Sequence, residues 1–209
     1  MKTKLNKTID FAFLKTKVVD FELFKACKKV IENNYYGLCV YPEQVNACKE
    51  KFKNTECKVI SVISFPHGCD SITDKCSAIK MTDADEFDVV LNLQKIKDNE
   101  FCELDLEIRT LRQVTKDKIL KIIIEQPFWP PATIARLLHY MIFHKVDFVK
   151  TCTGTNGGTK LEYVKLLKTF CNDAIKIKAS GGIKTEEQAI ELINAGAERI
   201  GTSSLLFTN

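Results

Sequence analysis

The chain has 209 residues, 45% of them hydrophobic and 28% charged, with a formal net charge of +4. That length suits one domain with a sizeable core, and lysines spread along the chain without an aromatic stripe give nucleic-acid binding little support. No apolar run approaches the roughly 18 residues of a membrane span, and the N-terminal "MKTKLNKTIDFAFLK" has no small-residue cleavage site, so neither a membrane helix nor a signal peptide is expected.

Short runs dense in Val, Ile, Phe and Tyr alternate with helical patterns along the whole chain. Strands are expected near residues 8–13, 37–41, 58–65, 87–92, 119–125, 146–151, 174–179 and 198–202, with the composition of buried parallel strands. Residues 20–33 read as a helix with Leu23, Phe24, Cys27, Val30 and Ile31 on one face. Pro130 and Pro131 suit the start of a helix over 131–144, and Gly157 and Gly158 lead into another at about 159–171. Thr185 and Gln188 form a capping box for 185–195, with Gly196 after its last turn. Eight strands, seven intervening helices and no linker predict a single (β/α)8 TIM barrel over residues 1–209, with a truncated last helix. A doubly wound open sheet is the alternative. In a barrel, functional residues belong at the C-terminal ends of the strands and in the loops after them.

The nine cysteines are odd in number, include no C-x-x-C pair and sit mostly in apolar runs. That is neither a zinc signature nor a secreted disulfide framework, so a reduced, cytoplasmic compartment is expected.

Two lysines carry the chemistry. Lys150 ends "VDFVK" and Lys178 ends "AIKIK", each before a turn rich in glycine and hydroxyl residues. Side-chain alternation places Phe148 with Lys150, and Lys176 with Lys178, on one strand face. Burial and a neighbouring amine both lower the proton affinity of an ammonium, and a neutral lysine attacks carbonyls to give a Schiff base. Asp10, Asp88, Lys121 and Glu125 interrupt other strand runs. One such charge is ordinarily a solvated strand end, whereas five or six in register suggest a balanced polar cavity. The turns "TGTNGG" (153–158), "SGGI" (180–183) and "GTSS" (201–204) offer backbone N–H groups to an anion, and the last two follow strands 7 and 8, where barrels commonly hold phosphate. His67 reads as a loop residue that is either structural or in reach of substrate. Cys39 reads as lining the core or the barrel mouth, Trp129 as a packing or rim residue, and His139 and His144 as surface or packing residues.

These motifs resemble the deoxyribose-phosphate aldolases over nearly the whole chain. "FVKTCTG" is similar to that family's Schiff-base lysine motif and "IKASGGIKTEEQA" to its second-lysine motif. "GLCVYP", "ISFPHG", "DEFDVVLNL", "LKIIIE" and "ERIGTSS" look like family segments in the same order. The resemblance implies a barrel with no metal and no cofactor that reversibly cleaves 2-deoxy-D-ribose 5-phosphate to D-glyceraldehyde 3-phosphate and acetaldehyde. It implies Lys150 as the Schiff-base lysine, Lys178 as the group lowering its proton affinity, and Asp88 in proton transfer through a water. Asp10 and Lys121 would complete the polar network, with Cys39 near the substrate. Gly181, Gly182, Gly201, Ser203 and Ser204 would hold the phosphate. The expected partner is a small sugar phosphate, with no nucleic acid, no membrane and room for a homodimer. Phe11, Cys152, Lys176 and the loop "EQPFWPPATI" depart from the family pattern. Another Schiff-base barrel aldolase, of transaldolase or keto-acid type, and a non-catalytic sugar-phosphate-binding barrel are the rival readings.

Overall fold

The computed structural model describes residues 5–16 and 20–204. Among these, eight parallel strands close on themselves in chain order: β1 (Ile9–Ala12), β2 (Gly37–Val40), β3 (Lys58–Ile63), β4 (Glu86–Val90), β5 (Ile119–Ile123), β6 (Phe148–Lys150), β7 (Lys176–Ser180) and β8 (Arg199–Thr202). The closure is the β1–β8 pairing, with Ile9 beside Ile200 and Asp10 beside Gly201. That pairing removes the open-sheet alternative and makes the fold a (β/α)8 barrel. The strand residues are buried on both faces almost throughout, as a sheet lined inside and clothed by helices outside requires.

The helices are α1 (Asp20–Glu32), α2 (Val45–Phe52), α3 (Ile72–Met81), α4 (Leu93–Lys97), α5 (Phe101–Thr115), α6 (Pro131–Phe143), α7 (Leu161–Cys171) and α8 (Glu186–Asn194). Thr185 caps α8 by accepting from the Gln188 N–H, and Gln188 reaches back in the reciprocal box. Gly196 follows with φ 115°. The β4–β5 connection holds two helices where one was expected: Asn92 caps the short α4 by accepting from the Lys95 N–H, and Asn99 breaks the path at φ 59°. The truncated last helix expected after β8 lies outside the described residues.

The face expected for α1 needs correction. Leu23, Ala26, Cys27 and Val30 are buried, but Phe24 and Ile31 are exposed at 39% and 41%. At 100° per residue those two flank the apolar stripe rather than lie on it, and Lys51 Nζ covers the Phe24 ring at 4.2 Å. Between α3 and α5, Lys75 is fully buried. Its Nζ donates to the carbonyls of Gly68 and Val90 at 2.8 Å each and to Glu107 Oε1 at 2.5 Å, which fastens the turn after β3 to the end of β4. No helix among the described residues is long and apolar enough to cross a membrane.

Candidate active site

Strand register builds the site. Lys150 lies beside Lys178, Asp88 beside Lys121, and Lys178 beside Arg199. Since alternate residues of a strand share a face, Glu86 points inward with Asp88, as does Arg199 with Gly201. The lumen is therefore divided. Cys39, Ile60 and Val62 on β2 and β3 form an apolar wall, separate from the main core, with Leu14, Tyr41 and Phe65 packed against it. The charges come from β1, β4, β5, β6, β7 and β8.

Six of those charges form a closed circuit of alternating sign. Asp88 Oδ1 accepts from Lys121 at 3.0 Å, and Lys121 pairs below with Glu86. Glu86 Oε2 meets Arg199 at 3.3 Å, and Arg199 donates to Asp10 Oδ1 at 2.8 Å. Asp10 Oδ2 accepts from Lys178 at 2.5 Å, and Lys178 returns to Asp88 Oδ2 at 2.7 Å. Lys150 hangs from this ring as a seventh group, donating to the same Asp88 Oδ2 at 2.8 Å. All seven side chains are buried.

The pairings set the electrostatics. Burial would raise the Asp88 carboxyl, but Lys121, Lys150 and Lys178 hold it well below the ordinary carboxylate value. Burial likewise opposes the charge on Asp10, and Arg199, Lys178 and Lys121 overcome it, so its pKa also falls. Lys178, expected as the group lowering the proton affinity of Lys150, is itself held as the ammonium. Burial disfavours its ammonium, yet Asp10 and Asp88 more than compensate and raise its pKa. The Cys39 thiol is pushed up to about 11 by burial and by the Asp88 charge, so it faces the site as a neutral group, with its Sγ 3.9 Å from Asp88 Oδ2.

Above the ring opens a cavity of about 700 Å³ lined by Asp10, Cys39, Lys150 and Lys178 at its base. Gly181, Gly182, Gly201, Ser203 and Ser204 line the same cavity. Gly181 and Gly182 have φ of 93° and 73°, which favours glycine. A Cβ at Gly158 would lie 2.7 Å from the Gly181 carbonyl oxygen, so the turns after β6 and β7 meet backbone to backbone. Ser180 Oγ donates to the Cys152 carbonyl at 2.6 Å, and Thr202 Oγ1 to the Ile183 carbonyl at 2.6 Å, stitching the last three turns together.

The remaining sequence candidates fall outside the ring. Glu125 is buried with a left-handed backbone, φ 48°, and its Oε2 accepts from the N–H and hydroxyl of Thr153 at 3.1 and 2.5 Å. It thus holds the turn that follows Lys150. His67 is exposed on the turn after β3, and Trp129 is a half-buried rim residue whose indole donates to the Ile124 carbonyl at 2.6 Å. His144 faces Asp105 at 2.7 Å. Phe11 packs on Tyr35 in the core. Lys176 is exposed at the start of β7, its Nζ 5.6 Å from the Phe148 ring centroid. Sequence reasoning missed Glu86 and Arg199. Period-two reading of "EFD" and "RIG" would have placed both on the inner face.

The chain matches the family described as DeoC/LacD family aldolases over residues 2–206. A deoxyribose-phosphate aldolase of Finegoldia magna is 35% identical over 96% of both chains. One from Caldicellulosiruptor saccharolyticus is 36% identical over 97% of this chain and 96% of its own. A crystal structure assigned to the deoxyribose-phosphate aldolases, from Coccidioides immitis, superposes with a TM-score of 0.94 at 30% identity, over 97% of this chain and 83% of its own. With such similarity running from end to end, the chain belongs to the DeoC/LacD family of aldolases and is a member of its deoxyribose-phosphate aldolases.

Proposed function

We propose that the protein reversibly cleaves 2-deoxy-D-ribose 5-phosphate to D-glyceraldehyde 3-phosphate and acetaldehyde through a Schiff base on Lys150. The observation that carries this reading is the position of Lys150 outside the closed ring. Three carboxylates, Asp10, Glu86 and Asp88, already face three cations, Lys121, Lys178 and Arg199. Lys150 stands apart from these pairs and shares Asp88 Oδ2 with Lys178. Lys150 makes one ionic contact, to Asp88, and lines the cavity above the ring, where its nitrogen can serve as the nucleophile that Schiff-base chemistry needs.

The proposed reaction runs in four steps. Lys150 Nζ adds to the substrate carbonyl to give a carbinolamine, and loss of water leaves an iminium ion. The C3 hydroxyl gives its proton to a bound water beside Asp88 as the iminium accepts the electron pair of the breaking carbon–carbon bond, which releases D-glyceraldehyde 3-phosphate and leaves an enamine. Protonation of the enamine carbon and hydrolysis release acetaldehyde and restore the amine. Asp88, in contact with both Lys150 and Lys178, is placed to pass these protons through a bound water. Lys178, held as the ammonium by two carboxylates, supplies positive charge beside the reacting nitrogen. The turns bearing Gly181, Gly182, Gly201, Ser203 and Ser204 hold the 5-phosphate with backbone N–H groups and hydroxyls.

Treatment with acetaldehyde and borohydride tests the assignment. The expected result is an ethyl group on Lys150, found by peptide mass spectrometry, together with loss of activity in a folded Lys150→Ala variant. A label on any other lysine refutes it.

A further inference from the structure

In that mechanism the lower half of the ring touches neither substrate nor Lys150. Glu86 and Arg199 each lie two residues nearer the barrel bottom than Asp88 and Gly201 on their own strands. Both are nevertheless links in the circuit. Glu86 Oε2 is shared by Lys121 and Arg199, and its Oε1 accepts from the Tyr36 hydroxyl. Arg199 bridges Asp10 and Glu86, and its guanidinium lies 3.5 Å from the Tyr36 ring centroid and 5.4 Å from that of Phe148. That stack closes the bottom of the lumen around the ion pairs.

We propose that Glu86 and Arg199 are positioning residues that set the charge carried by Lys150 from the bottom of the barrel, acting through the ring. The inference rests on the reading of Lys150 as the Schiff-base amine.

The argument is one of charge balance in a buried space. The charged and titratable groups around Lys150 are Asp10 on β1, Cys39 on β2, Glu86 and Asp88 on β4, Lys121 on β5, the Cys152 thiol just after β6, Lys178 on β7 and Arg199 on β8. Cys39 is a neutral thiol, and β3 faces them with apolar Ile60 and Val62. Arg199 cannot give up its proton, and Lys178 is held protonated by Asp10 and Asp88. A change in ring charge reaches Lys150 through Asp88, the one carboxylate from which it hangs outside the ring. Removing the Glu86 charge leaves the ring positive and favours the free amine on Lys150. Removing the Arg199 charge leaves it negative and favours the ammonium. The two changes push in opposite directions, which a purely structural role would not do.

The test is reductive trapping of acetaldehyde with cyanoborohydride across a pH series, with ethylated Lys150 quantified by peptide mass spectrometry. The acid limb of the trapping profile should move to lower pH in Glu86→Gln and to higher pH in Arg199→Gln. Each shift should be on the order of one pH unit, the scale on which a nearby charge moves a titration. The double variant should return close to the wild-type limb. Tyr36→Phe, which removes a hydrogen bond from Glu86 without changing charge, should leave the limb in place. So should Glu86→Asp and Arg199→Lys, which keep the charges and serve if the neutral variants fail to fold. A limb unmoved in both neutral variants, or moved in the same direction, overturns the inference while leaving the Lys150 assignment intact. A limb moved as far by the charge-conserving variants also overturns it. Absence of any label on Lys150 in the wild type would instead overturn the Schiff-base reading, and this inference with it.

Discussion

Asp88 bears the heaviest electrostatic load in the barrel, and Asp88→Asn should show it twice, in stability and in turnover. The carboxylate accepts from Lys121, Lys150 and Lys178 at 3.0, 2.8 and 2.7 Å. An amide in its place keeps one oxygen but turns an N–H₂ group toward buried amines, leaving the lumen with two carboxylates. Breaking a buried ion pair by removing one partner costs about 3–5 kcal/mol. For a chain of this size each kcal/mol is worth about 2–4 °C, so the thermal midpoint should fall by roughly 6–20 °C. Activity should fall by about 100- to 10,000-fold, the usual contribution of positioned acid–base transfer. The pH dependence of stability has a defined sign. The folded-state pKa values of Asp10 and Asp88 lie below the ordinary value of 3.8. Their contribution to wild-type stability is thus fully present above that value and is lost as pH falls through the folded values. Asp88→Asn should lose part of this acid dependence. Circular-dichroism melts from pH 3 to about 9, with activity in parallel, measure both effects. A variant that melts within about two degrees of wild type and retains a tenth of its activity would refute the assigned role of the ring.

Three further outcomes follow from the geometry. Lys178→Leu removes a ring cation, so the acid limb of the pH–rate profile should move to higher pH and activity should partly recover under alkaline conditions; a profile lowered without change of shape would give Lys178 another role. Deoxyribose without its 5-phosphate should be a much poorer substrate, and sulfate should compete with the phosphorylated one. Equal efficiency would remove the phosphate assignment from the turns at Gly181–Gly182 and Gly201–Ser204. Lys176→Gly should leave kcat/KM within a few-fold of wild type, because the Lys176 side chain is exposed beside Phe148 rather than part of the ring; a loss comparable to that of Lys178→Leu would contradict this.

Much of this barrel was readable before any coordinates. Eight runs rich in apolar strand formers, separated by helical patterns, point to a barrel, with closure decided only by the β1–β8 pairing, and period-two alternation puts Lys150, Lys178, Asp10, Asp88 and Lys121 inward. Helix faces were read less well: Phe24 and Ile31 are apolar at helical spacing, but their angular position puts them at the edge of the stripe. The largest omission was Glu86 with Arg199. Each sits early in its strand, where a charge ordinarily reaches solvent, and only closure brings β8 back beside β1 so that Arg199 can meet Asp10. Ion pairs 113 and 189 residues apart in sequence leave no local trace. The strength with which Lys178 is held as the ammonium leaves no local trace for the same reason. Two amines on neighbouring strands look mutually repulsive until Asp10, from the far end of the chain, is placed between Lys178 and Arg199.

The division of the lumen explains why such a ring is tolerated. A charged ring exposed to water at either end would be screened and of little energetic consequence. Here the bottom is closed by Arg199 stacked on Tyr36 and Phe148, and one side is walled by Cys39, Ile60 and Val62. The Tyr36 hydroxyl, pushed up to about 12 by burial and by its hydrogen bond to Glu86, stays a donor. It adds no charge of its own. Enclosure keeps the local dielectric low, which strengthens each pairing and raises the penalty for a missing one. The open side is the mouth, where Lys150 meets the cavity beneath the glycine turns. The six charges beneath that opening are paired with one another inside the closed part of the lumen.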